Sequence, residues 1–406
     1  MYSHFNYLIM KNLIIILALL TGFVSSAQTI RIADNNATRP TGPNIYATLQ
    51  LAINAAAPGD LVYVQPSPTS YGNATVDRPI TLRGIGFNTG KDIGLPSTVG
   101  DITLTNTLTN STNASGTTIE GVTGNRIFLG TQTGIFTYTL QNITISNCSL
   151  AVDGIYRVTG YMVATNITIQ NCSTGIWFNG TGTVSQLFIF QNYLYQIVLG
   201  GPGSLASTII SNNFTDSGNS NQFGATAFGA NLLTNSLLIT NNNFLGEANV
   251  SGTHLMQYDL HDAVVSNNIF YGCAPNGPGS APNLFERNAF NNNLSFGTTA
   301  DALPPAGTGV GNTGANNKVS VDPKFVNAPF NTLWAATMDF TLQAGSPALL
   351  AGSDGTDIGI TGGAYPVTSG NFKLSTPHAP IIMTLNPAAV VPQNQPIITN
   401  IKAKSN

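Results

Sequence analysis

Charge is what this chain has least of. Only 8% of its 406 residues are Asp, Glu, Lys or Arg, the formal net charge is −3, and no run of basic residues occurs anywhere. A nucleic-acid partner needs a concentrated basic surface, so that class is excluded. Between Arg126 and Arg287 the one Lys or Arg is Arg157, which leaves little to offset the charge of an acidic polysaccharide. Helices rich in Glu and Lys are excluded on the same ground. Long apolar runs are missing too: after the N-terminal segment no stretch approaches the roughly 20 apolar residues that span a membrane.

Glycine (42 residues), Asn, Thr and Ser take the place of charge, and 42% of the chain is hydrophobic. That content suffices for a sizeable core and argues against disorder. Met10-Lys11-Asn12, the apolar run Leu13 to Leu20 and the small-residue stretch ending at Ala27 have the order of a secretory signal peptide. Cleavage is expected after Ala27, giving an exported mature chain from residue 28.

An internal repeat sets the fold expectation. Short β-rich runs end in Asn147, Asn171, Asn192, Asn212, Asn241, Asn267 and Asn291, at intervals of 20 to 29 residues. Apolar residues alternate within the runs, as in Ile143, Ile145 and Ile167, Ile169, which places them on one face of a strand. Val152, Ile176 and Ile197 supply a second apolar position in each coil. Coils of this size bury their apolar face only by stacking on one another. The Asn residues suit the turns, since Asn tolerates left-handed backbone angles and its amide can bond to its copy in the next coil. Phe188 and Phe190 align with the inward Ile positions. Cys148 and Cys172 lie one coil apart, which permits either a disulfide or a stack of reduced thiols.

The helix-like segment Tyr46 to Ala57, Pro58-Gly59, and the strand Leu61 to Val64 resemble the entry to pectin-lyase-like right-handed β-helix proteins. Asp77 to Gly86 resembles a first coil of that family. Val321-Asp322-Pro323-Lys324-Phe325, Asp339 to Ala348 and Asp357-Ile358-Gly359 are similar to the closing segment of its bacterial exported members. The resemblance implies an all-β chain: a single-stranded right-handed parallel β-helix over 28–365 with an N-terminal capping helix. Residues 366–406 lose the repeat and are expected to lay a strand or two against it as a C-terminal tail.

Family members that cleave acidic polysaccharides set Asp, Lys or Arg on one outward sheet, and no such set is evident here. The densest ionisable cluster is His254, Tyr258, Asp259, His261 and Asp262. Two His and two Asp so close together could supply an acid, a base or metal ligands, and equally fit a solvated loop. Asp153, Tyr156 and Arg157 form a weaker group. Asp322, Asp339 and Asp357 read as turn caps. Tyr193, Tyr195 and Trp177 could stack on sugar rings or pack inward. The reading is an exported β-helix that binds a polysaccharide, cell-surface glycan or surface partner without catalysis. The alternative is a carbohydrate-active enzyme using His254, Asp259, His261 and Asp262. No cofactor or oligomeric state follows from the sequence.

Overall fold

The structure, a computed structural model, describes residues 28–86, 95–105, 113–130, 138–157, 162–179, 183–200, 205–216, 221–224, 237–246, 254–256, 260–276, 285–298, 300–330, 332, 334–335, 337–370, 381–387 and 399–404. These residues form a parallel β-solenoid. Its first sheet begins at Ile45–Tyr46 and Ile30–Ala33 and passes through Leu61–Val64, Thr81–Arg83, Thr118–Glu120, Tyr138–Ser146, Met162–Gln170 and Val184–Phe190. It continues through Thr208–Ser211, Leu237–Thr240, Val264–Ser266 and Ala289–Asn291 to Thr313–Ala315. The second sheet runs alongside from Ala74–Val76 through Ile102–Leu104, Ile127–Leu129, Ile155–Arg157, Ser173–Asn179 and Tyr193–Gly200 to Leu294–Phe296. A short third sheet pairs Leu260–His261 with Phe285–Glu286.

Alternation explains the core. Ile143, Ile145, Ile167, Ile169, Leu187 and Ile189 point inward and are fully buried, each contributing roughly 1.5–3 kcal/mol. Thr144 and Thr168 face outward in register with Phe188, and Ser146 and Gln170 lie in register with Phe190. Phe188 and Phe190 therefore face outward, half-buried, contrary to the sequence expectation. Val152 is also not a strand residue: it lies in a turn, 67% exposed, and Ile155 takes the inward place beside Ile176 and Ile197.

Two columns line the turn after the first sheet. The outer holds left-handed residues with φ near 55°: Asn147, Asn171, Gln191, Asn212, Asn241, Asn267, Asn292 and Asn316. The next residue in each rung forms the inner column: Cys148, Cys172, Asn192, Asn213, Asn242, Asn268, Asn293 and Asn317. Asn192 and Asn291, aligned with the turn positions by sequence, are thus each one residue off. Copy-to-copy bonding occurs in the inner column: Asn242 Nδ2 donates to Asn268 Oδ1 at 3.0 Å, and Asn268 Nδ2 to Asn293 Oδ1 at 3.0 Å. The side chain after the left-handed turn points into the stack, so it meets its copy. The three cysteines are free and buried, and the Cys148 and Cys172 thiols donate to the Ser146 and Gln170 carbonyls. Burial pushes the Cys172 and Cys273 thiols up, so neither is a ready thiolate.

The helix Leu49–Ala55 lies at the start of the stack, N-capped by Thr48, with Leu49, Ala52 and Ile53 buried. Its Gln50 amide imitates a neighbouring strand. Oε1 accepts from the Thr75 backbone N–H at 2.7 Å and Nε2 donates to the Thr75 carbonyl at 3.1 Å, satisfying the edge of the second sheet.

The segment expected to close the stack lies along its side instead. Phe325–Asn327 pairs antiparallel with Asp339–Leu342, and the chain then runs back down the outer Asn column. Asn292 bonds to Ala351, Asn267 to Ser353, Asn241 to Asp357 and Gly359, Asn212 to Ile360 and Gly362, and Gln191 to Tyr365 and Pro366. Phe340, Ile358 and Ile360 of this lengthwise strap bury Phe214, Ile269 and Leu294 of the second sheet. Asp322, Asp339 and Asp357 accept backbone N–H groups of Lys324, Thr341 and Leu350, which makes them turn caps. In the tail, Ile381–Pro387 pairs antiparallel with Thr399–Lys404.

Candidate functional site

Two places gather chemistry. At the first, His261 and Glu286 are register partners in the third sheet, both buried. Each is followed by a left-handed residue, Asp262 and Arg287. Arg287 makes a bidentate pair with Asp262 (Nε–Oδ1 2.9 Å, Nη2–Oδ2 2.8 Å), and His261 Nδ1 lies 2.7 Å from Asp262 Oδ2. Glu286 takes Arg287 Nη1 on one oxygen and the Val310 N–H on the other. Asp262 and Arg287 extend a turn column in which Asn166 elsewhere bonds to Asn142.

The Arg287 guanidinium, and after it His261, hold the Asp262 carboxyl down at about 2, which makes it a poor proton acceptor near neutrality. Both carboxylates are thus committed within the network, an arrangement that anchors a turn. Of the other expected cluster members, Tyr258 and Asp259 lie outside the described residues, and His254 begins the strand His254–Met256. Among the described residues no group of three or more His, Cys, Asp or Glu could hold a metal ion.

The pH dependence follows from the depressed value. Asp262 contributes stability above its ordinary 3.8 and loses it as pH falls towards 2. The loss is at most about 2–3 kcal/mol before solvent screening, which lowers it because the Arg287 side chain is 39% exposed. In Arg287→Met the folded-state pKa of Asp262 should rise towards its ordinary 3.8, so the acid limb of the stability curve should shrink, its lower end moving up. An unmoved limb would mean that other groups keep Asp262 ionised.

The second place is the outward face of the second sheet. Thr75, Thr103, Phe128, Tyr156 and Trp177 occupy one register row, a rung apart. Phe128 meets Tyr156 edge to face at 5.7 Å, and the Tyr156 and Trp177 rings lie 8° from parallel at 6.5 Å. Tyr156 and Trp177 are half-buried, and Phe128 is 7% exposed. Beside the threonine end lies a groove of about 540 Å³ lined by Gln50, Asn73, Thr75, Asp101, Arg126 and Phe128. Asn73, Asp101 and Arg126 each immediately precede a strand of the sheet, so they form a polar column beside the aromatic one.

Arg126 donates to Asp153 through Nε (2.9 Å) and Nη2 (2.5 Å), and that bonding raises its pKa. Asn125 donates to Asp101 at 2.7 Å. Trp177 is thus brought together with Tyr156 and Phe128. Tyr193 is not: it sits under the strap against Trp334, centroids 4.4 Å apart, with Tyr195 at its edge at 5.2 Å. Phe128 was missed from the sequence. Its only signal is the in-register alignment of Ile127, Ile155 and Ile176.

No protein family's sequence profile matches the chain, and no curated protein matches it significantly in sequence. Among the described residues, no helix is long and apolar enough to cross a membrane. What the fold defines is a parallel β-solenoid.

Proposed function

We propose that this chain is an exported right-handed β-helix of the pectin-lyase-like kind that binds glycan without cleaving it. The helix Leu49–Ala55 serves as its N-terminal cap, and 366–406 as its tail. The observation that carries the binding reading is the row Phe128, Tyr156 and Trp177 running into a groove of amides, hydroxyls and a paired Arg. An apolar strip with a polar rim suits sugar rings, whose faces are apolar and whose edges carry hydroxyls. The enzyme reading draws less support, because Asp262 and Glu286 are committed to Arg287. Export rests on the Lys11 to Ala27 segment.

The test is retention of residues 28–406 on a panel of immobilised polysaccharides, with assays for reducing ends and unsaturated product. Retention without product is expected, and Trp177→Ala, shown by circular dichroism to be folded, should weaken it roughly tenfold, about 1.4 kcal/mol. Product release, or retention indifferent to Trp177, would overturn the proposal.

A further inference from the structure

We infer that the glycan taken by this face is an uncharged one lying along the stack axis, across the strands. The inference rests on the glycan-binding reading and adds the class and direction of the ligand. Direction comes from register. Both the aromatic column and the polar column advance one residue per rung. From Thr75 to Trp177 is four rung intervals, about 19 Å at a strand spacing of about 4.8 Å. A chain laid across the strands meets a like contact at each step, whereas one laid along a strand meets a single rung.

Class comes from charge. Among the described residues Arg126 is the one cation lining the groove, and it is held by Asp153 through two nitrogens. Asp101 adds a carboxylate beside it. Counting Asp153, the groove and its rim therefore carry a net negative charge, which disfavours a uronate or sulfated chain. Elsewhere on these rungs, Arg78 and Arg83 pair with Asp77 and Glu120. Of the remaining polar lining, Asn73, Thr75 and Thr103 carry amide and hydroxyl groups that donate and accept as sugar hydroxyls do, while the Gln50 amide is taken up by the Thr75 backbone and Asn54.

The experiment measures binding of purified residues 28–406 to a neutral β-glucan and to polygalacturonate of matched length, over a range of salt. The neutral chain is expected to bind at least tenfold tighter, with no salt dependence. Asp153→Asn, which releases Arg126, should narrow the gap severalfold and make polygalacturonate binding salt-sensitive. Preference of the wild type for polygalacturonate would overturn this inference and leave glycan binding standing. No narrowing in a folded Asp153→Asn protein would also overturn it, because Arg126 would then not set the preference. Failure to retain either glycan, or any other on the panel, would sink both readings. Should Asp153→Asn fail to fold, the wild-type preference and its salt titration decide alone.

Discussion

Asn242→Leu is expected to lower stability on the order of 3–6 kcal/mol, although it swaps one residue for another of similar size. The Asn242 amide serves three backbone groups. Oδ1 accepts from the Asn213 N–H at 2.9 Å, and Nδ2 donates to the Ile210 and Thr240 carbonyls at 2.9 and 3.0 Å. Leucine leaves all three without that partner, at roughly 1–3 kcal/mol for each buried group, but the Thr240 carbonyl still accepts from the Asn212 N–H at 3.3 Å, so the sum falls short of three full penalties. Asn242 is completely buried, so water does not compensate. Urea denaturation followed by circular dichroism measures the loss. An unchanged midpoint would show that the inner Asn column is dispensable.

Phe340→Ala is expected to cost about 3–5 kcal/mol, the range for a buried aromatic replaced by alanine. Phe340 is 1% exposed and packs on Phe214 at 4.8 Å and Phe325 at 5.0 Å, joining the strap to the sheet beneath. The loss should be local. Hydrogen exchange should quicken at the Ser353 and Gly359 amides, which bond to Asn267, and stay slow at Ile143 and Ile167. Uniform quickening over the whole chain would refute a separable strap.

How much of this was legible in the sequence turns on particular residues. The alternation in Ile143 to Ile145 and Ile167 to Ile169 revealed stacked coils because both runs end in Asn at the left-handed turn. At the next rung Gln191 takes that turn, with φ 56°. Reading the turn by the identity of Asn moved the alignment by one, to Asn192. Side chains alternate with period two, so that slip turned Phe188 and Phe190 from outward to inward. The run Asn291-Asn292-Asn293 hid the same slip at a later rung.

The aromatic row was illegible for a different reason. Phe128, Tyr156 and Trp177 are spaced unevenly because loops of different length separate the rungs, and only strand pairing aligns them. The strap could be recognised as a segment but not placed, since its partners lie 59 to 175 residues earlier in the chain.

The strap also divides the molecule into two regimes of cooperativity. Among the described residues, rungs up to Gln170 are bonded to their neighbours alone, as in any linear stack, and can fray one at a time. Rungs from Phe190 to Asn292 are each bonded or packed to one continuous segment, so none can peel away without loosening its hold on the others. Phe128, Tyr156 and Trp177 all fall before that boundary. The surface proposed to bind glycan therefore belongs to the half of the stack whose order is decided rung by rung, where a ligand bridging several rungs has most to add.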